Sequence, residues 1–470
     1  MLGKNLIRTA LLLCASIAVL GSAAASADTQ AKPKPAATAT PGPFSYNGYV
    51  RAFYFTRTNL VQNAGNPNRK AFNVGGKLHG EYHFANTPFT LGATYFGAEP
   101  FGANGDSPQF NPRVDNTVPG FTMSTLGEAY LQYKTKYAQI KVGNQVINTP
   151  WVNPSDSRLK PNAFQGVDAS FVIGKGFTLG IDRMIRYEGR TSSAFDKSTL
   201  LTSRPAGNPA YPIHDTNGFS LVDVGYKDGT QFAGSVNYYS FYDIANMLYV
   251  EGKIFPSPKS PIKPFVAAQF VNERQAGAAY LGIIKNMTIG MQLGASLNRN
   301  IDVTLGYDHS PGYIETAAVG SCKIAAQVYF LPTGGTPNCV DNQNGSVTVY
   351  YGGIATPYTE AYATDPLFTT SISQGMADRH SAGDSYKLGT TLQTNDKRIK
   401  LILSEAFYDY GSGAGPNQTR EFNADATYFF KKILPGTYHG WSLRHRYAER
   451  RQPTLPFDFK YNRTQLQYDF

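Results

Sequence analysis

Two arginines spaced two apart, Arg444 and Arg446, alternate with Trp441, Leu443 and Tyr447 over residues 440–448. Successive side chains on a strand point to opposite faces. Ser442, Arg444 and Arg446 therefore share one face, and His445 falls on the apolar one, near an interface. The spacing recurs elsewhere. Residues 139–146 set Lys141 and Gln145 against Ile140, Val142 and Val146. Residues 398–404 set Lys400 against Ile399, Leu401 and Leu403, and near the chain end Arg463, Gln465 and Gln467 oppose Thr464, Leu466 and Tyr468. Fixed cations along a polar wall can replace part of the hydration shell of a passing anion. The chemistry expected is selective permeation by several weak charges acting in series. The plainer alternative is a solvated, unselective wall.

Other reactive patterns are weaker. His79 and His83 are four apart in a strand-like segment whose same-face spacing is two, so zinc is not expected. His309-Ser310 and His380-Ser381 place a base beside a hydroxyl, the pair that an outer-membrane phospholipase with a Ser–His couple would need. Adjacent strand residues point apart, so neither is a preassembled nucleophile pair, and a barrel enzyme is only a third reading. No phosphate loop, dinucleotide fingerprint or basic aromatic surface is present, so no cofactor and no nucleic-acid partner is expected.

The elements that must carry these residues are strands. The clearest hairpin is 288–308, where Ile289, Met291, Leu293, Ala295 and Leu297 alternate with Thr288, Gly290, Gln292, Gly294, Ser296 and Asn298. After Arg299-Asn300, Ile301, Val303, Leu305 and Tyr307 alternate with Asp302, Thr304, Gly306 and Asp308. One face is too polar for a sandwich core and the other too apolar for water, as in a barrel with lipid outside and a wet lumen. Short turns at 86–88, 135–136, 174–176, 227–229, 256–262, 299–300, 395–397 and 431–438 alternate with longer Gly/Asn/Pro/Ser-rich connections such as 99–123, 148–164, 188–215 and 309–384. That count predicts an all-β, transmembrane antiparallel β-barrel of eighteen strands, with sixteen as the alternative because boundaries near 241–255 and 274–287 are soft. Short turns would be periplasmic and long loops external.

Composition agrees. Aromatics make up 13% of the chain, charged residues 16%, and mean hydropathy is −0.31. After residue 27 no run reaches the ~18 apolar residues of a spanning helix. Residues 1–27, with Lys4, Arg8, an apolar Leu11–Leu20 core and Ala25-Ser26-Ala27, read as a secretory signal. Its removal lowers the formal charge from +10 to +8 by taking away Lys4 and Arg8. Residues 28–44 form a flexible Pro/Ala-rich lead, and 45–470 the barrel. Of three cysteines, Cys14 lies in the signal. Cys322 and Cys339 remain, and an even pair in an exported chain favours one disulfide, with two free thiols as the alternative.

Two resemblances add to this. The alternating strand that ends in Phe470 resembles the assembly signal through which bacterial outer-membrane barrels meet their insertion machinery. The stretch Asn148–Gly166, with Ser155-Asp156-Ser157-Arg158, Pro161, Phe164 and Gly166, resembles the third-loop signature of OprD-type substrate-specific porins. Val142–Gln145, Gly48-Tyr49-Val50-Arg51 and Leu443–Tyr447 are also similar to that family, whose loop usually lacks Trp151 and Asn153-Pro154. The resemblance implies an eighteen-stranded monomer, rather than a trimer, in the bacterial outer membrane. Loops near 148–166 and 309–384 would fold inward, and a wall ladder of Arg and Lys would guide carboxylate-bearing solutes. Such solutes would be amino acids, short peptides or aromatic and organic acids. Ladder positions are then Arg444, Arg446, Arg463, Lys141 and Lys400. Ser155, Asp156, Ser157 and Arg158 would form the constriction loop, with Arg158 pinning it. Asp365, Ser371 and Ser373 are possible solute contacts from the second loop. An unselective diffusion porin is the runner-up.

Overall fold

The computed structural model describes residues 42–58, 68–104, 122–155, 158–201, 214–281, 284–318, 339–341, 346–359, 364–379, 382–410, 418–431, 440–452 and 458–470. Eighteen antiparallel strands form one closed sheet. β1 (Phe44–Thr58) pairs with both β2 (Arg69–His83) and the final strand β21 (Phe459–Asp469), so among the described residues this barrel sheet has no open edge. The seam is completed by reciprocal bonds between the backbones of Gly48 and Phe470, at 3.0 and 3.1 Å. A Cβ on Gly48 would lie 2.7 Å from the Phe470 ring, so glycine there seats the terminal aromatic.

The soft boundaries fall as eighteen strands require. β9 (Phe232–Phe241) and β10 (Ala245–Ile254) are joined by residues 242–244 alone, the one expected long connection that is a tight turn, with Asp243 at φ 61°. β11 (Phe265–Gln275) and β12 (Lys285–Asn298) are joined by 276–284. The short turns are built from residues that suit them. Asp228 accepts the amides of Thr230, Gln231 and Phe232 between 2.8 and 3.0 Å, which holds its carboxyl below the usual range.

The barrel wall is inside-out relative to a soluble protein. Met291, Leu293 and Leu305 are 50–55% exposed. On the opposite face of β12 and β13 (Ile301–Ser310), Thr288 and Asp308 are fully buried. Exposed Tyr82, Phe84, Phe89, Tyr137, Phe430 and Trp441 gather at the short-turn rim, an aromatic girdle of the interfacial kind. Among the described residues no helix is long and apolar enough to cross a membrane, which says nothing about crossing by strands.

The connection after β13 carries its own small sheet: β14 (Tyr313–Ala318), β15 (Cys339–Asp341) and β16 (Ser346–Tyr351). Cys339 opens β15, whereas Cys322 and the expected signal and lead up to residue 41 lie outside the described residues. A one-turn helix, α1 (Met376–Arg379), precedes β17 (Gly383–Gln393), and β18 (Ile399–Tyr410), β19 (Gln418–Phe429) and β20 (Gly440–Arg451) complete the ring.

Candidate functional site

Two connections fill part of the lumen. The first runs from residue 146 to 162, between β5 (Ala138–Gln145) and β6 (Ala163–Gly174); residues 163–166 of the expected loop belong to the strand. Trp151, Val152, Ser155, Arg158, Leu159, Lys160 and Asn162 are each 1% exposed or less. Ser155 is held at φ 48°, a region most side chains avoid. Asn153 fixes it there, its Oδ1 accepting the Ser155 amide at 2.9 Å and hydroxyl at 3.2 Å. The wall grips the same loop. Tyr49 donates its hydroxyl to the Leu159 carbonyl at 2.7 Å, and an Arg51 guanidinium nitrogen donates to the Arg158 carbonyl. On the inner wall Gly75 leaves room for Leu159, which would lie 3.0 Å from a Cβ.

The second connection returns from β16 to β17 and locks onto the first. Asn153 donates its side-chain amide to the Thr364 carbonyl at 2.8 Å, and the Thr359 hydroxyl donates to the Trp151 carbonyl at 2.7 Å. Behind this clasp lies an aromatic cluster of Trp151, Phe164, Phe219, Tyr239, Tyr249 and Tyr358, all essentially buried. The alternation in 288–308 implies a polar inner wall. Towards the long-loop end of β8 (Phe219–Lys227), β9 and β10 the inner face is instead apolar, because the two loops cover it and water is excluded, whereas Ser235, Asn237 and Glu251 keep it polar further along.

The wall opposite this packed side is cationic. Arg444 and Arg446 sit on the inner face of β20, directly across from Gln465 and Arg463 on β21. Arg463 is 2% exposed, its guanidinium 5.4 Å from the Phe53 ring centroid. Arg51 on β1 donates Nε to Gln467 Oε1 at 2.8 Å, and Arg158 from the first loop lies 5.5 Å over Phe55. Asp425 on β19 accepts Arg444 Nε at 2.8 Å on Oδ1 and Arg444 Nη2 at 2.6 Å on Oδ2. Arg446 Nε also donates to Oδ2. Lys141 and Lys400 stand apart from this group. On β5, four strands round the barrel from β1, Lys141 Nζ lies 4.1 Å over the Tyr130 ring, and Lys400 pairs across from Thr427 towards the short-turn rim.

The second-loop residues are engaged in holding that loop. Asp365 Oδ1 accepts the Leu367 amide and the Thr370 hydroxyl, at 3.1 and 2.5 Å. The Ser371 hydroxyl accepts from Tyr408 at 2.8 Å, and Ser373 donates to Glu421 Oε2 at 2.7 Å. Asp156 and Ser157 lie outside the described residues. Lys160 Nζ is 3.5 Å from Glu188 Oε2 with both side chains buried. Burial pushes the ammonium down to about 8, against the opposing pull of Glu188. An unfolded lysine holds its proton to about 10.5, so this group's contribution to stability rises between those two pH values. The heat-unfolding midpoint should therefore rise from pH 7.5 to 9.5 relative to Lys160→Met measured alongside. Parallel pH courses would contradict a buried, proton-shedding Lys160.

Arg51 and Asp425 are absent from the ladder read by alternation, though both are detectable by it: Val50, Ala52 and Tyr54 flank Arg51, and Ala424 and Ala426 flank Asp425. His309 and Ser310 face opposite sides, His309 Nδ1 meeting outward Asp384 at 2.9 Å while Ser310 is buried inward. His79, Glu81 and His83 share the inner face of β2, with imidazole Nε2 atoms 3.6 and 3.7 Å from Glu81. Among the described residues no group of three or more candidate ligands is placed to hold a metal.

A closed antiparallel barrel with a lipid-facing exterior, narrowed by two inward connections, defines an outer-membrane porin. The chain belongs to the OprD family of outer membrane porins, whose family model matches residues 45–329. Solved structures share the fold. OccK9 (OpdG) of Pseudomonas aeruginosa matches with TM-score 0.66 at 18% identity, over 91% of this chain and 98% of that one. A BenF-like porin of Pseudomonas fluorescens Pf-5 matches with TM-score 0.66 at 13% identity, over 91% and 98%. OccAB3 of Acinetobacter baumannii gives 0.66 at 14% identity, over 91% and 99%. No curated protein matches the chain in sequence.

Proposed function

We propose that this porin is a passive channel favouring small carboxylate-bearing nutrients, such as amino acids, short peptides or aromatic and organic acids. The observation that carries the reading is the gathering of Arg444, Arg446, Arg463 and Arg51 on adjacent strands, facing a lumen already narrowed on its other side. Each charge is worth little in water, about 1 kcal/mol at ~4 Å, and more where water is scarce. Several in series attract a carboxylate without trapping it, which a channel requires. Arg444 keeps 19% of its side-chain surface against 10% for Arg446 and is the more accessible of the two. Arg158 and Arg463, almost wholly buried, act through the local potential.

A general diffusion porin is the second reading, favoured by the pairing of Asp425 with two of those arginines. Reversal potential of the reconstituted protein in a KCl gradient separates them: an anion-selective value is expected, and a value near zero supports general diffusion. The chain is taken to be exported by residues 1–27, assembled through its Phe470 strand and monomeric in the lipid. Cys322 and Cys339 are expected to be bridged, restraining the external connection by roughly 3 kcal/mol. Labelling of both thiols on intact cells without reductant would count against the bridge.

A further inference from the structure

We propose that Asp425 sets the strength of the channel's anion preference, acting as a built-in carboxylate that occupies the two-arginine site and tempers it. The proposal rests on the wall-cation reading above and adds to it a specificity-determining residue.

The geometry is that of a bound carboxylate. Asp425 faces inward from β19 and lies directly opposite Arg446 in register. Its two oxygens take Nε and Nη2 of Arg444 at 2.8 and 2.6 Å, the side-on fork that a guanidinium offers to any carboxylate. Arg446 Nε shares Oδ2. A solute carboxylate meeting these arginines meets donors already turned towards Asp425, and must displace it or share them. The Asp425 side chain is 8% exposed against 19% for Arg444, so the free surface of the pair is the cation's.

The inner face of β19 divides two tasks. Glu421 holds the second loop through the Ser373 amide and hydroxyl, at 2.9 and 2.7 Å, and Asn423 takes the Ile372 amide at 3.2 Å. Asp425, one step further along that face, meets the arginines. A purely structural role has its own argument: Arg446 lies directly opposite Arg463, and like charges across a strand pair repel. An acid beside them would relieve that. The two roles diverge when the charge is removed and an acceptor is kept.

The test uses the full-length channel in planar bilayers under a KCl gradient. Asp425→Asn should raise the chloride-to-potassium permeability ratio by roughly fivefold, the weight of one unit charge at ~4 Å in water. Asp425→Ser should do the same if the Asn variant fails to give a heat-modifiable barrel. In an Arg444→Gln/Arg446→Gln background either change should still raise the ratio, because the charge removed is Asp425's own. Acetate permeability relative to chloride should rise only with the arginines present, since only then is a two-arginine fork vacated. An unchanged or lowered ratio in a folded Asp425 variant would make the residue a brace and overturn the proposal. The background pair separates that failure from failure of the wall-cation reading. If Arg444→Gln/Arg446→Gln alone lowers the ratio, the wall reading stands whatever Asp425 does; if it does not, both fall.

Discussion

Replacing Arg444 and Arg446 together by Gln is expected to move the reversal potential towards zero and lower the chloride-to-potassium ratio by roughly five- to thirtyfold. That is the weight of one to two unit charges at contact distance in water, as Asp425 already offsets part of the pair. Uptake of a carboxylate solute should slow in step, whereas a neutral sugar of similar size should pass as before. The loss should shrink as ionic strength rises, because the Debye length falls from about 10 Å at 0.1 M to 3 Å at 1 M. A correctly folded double variant with unchanged reversal potential and uptake would remove the ladder and promote general diffusion.

The second large effect concerns the loops. Trp151 is fully buried, its ring edge-on to Tyr249 at 6.1 Å, its amide donating to the Tyr239 hydroxyl at 3.3 Å. Trp151→Ala leaves a cavity under the clasp and should cost about 3–5 kcal/mol of loop seating. The clasp bonds at Thr359 and Thr364 contribute only about 1 kcal/mol each. They cannot hold the loop without the aromatic cluster. Unitary conductance and current noise should rise while discrimination between solutes falls, with the barrel itself intact. Unchanged conductance would place the constriction elsewhere.

Barrel and strand number were readable because lipid and water impose opposite demands on successive residues, as in β12 and β13, and because turn chemistry marks the short rim, as at Asp228. The inner wall over β8, β9 and β10 was not. Tyr239, Phe241 and Tyr249 face inward as strongly as Tyr238 and Leu248 face away, and alternation cannot say that an inward loop will cover them. The loop contacts join residues 206–211 apart, such as Asn153 with Thr359 and Thr364, a separation that no local pattern reports.

The site divides in the same way. Side-chain direction at Arg444, Arg446 and Arg463 follows from parity, but what each meets depends on register. The placing of Asp425 across from Arg446, and of Arg446 across from Arg463, is a property of three strands together. Arg51 sits in a segment already notable for its likeness to the family, yet its place beside Gln467 appears only when β1 closes onto β21. Similarly, Glu81 lies between His79 and His83 on one face, visible once the three are read at a period of two.

The claim that a carboxylate is favoured is tested most directly by an isosteric pair. Benzoate and benzamide differ little in size and shape and chiefly in charge, so their relative entry into proteoliposomes isolates the wall cations from the width of the pore. At low ionic strength benzoate should enter several times faster than benzamide through the reconstituted channel, and the advantage should fade in high salt. Equal rates for the two solutes at low salt, or faster entry of the amide, would contradict a carboxylate-selective channel.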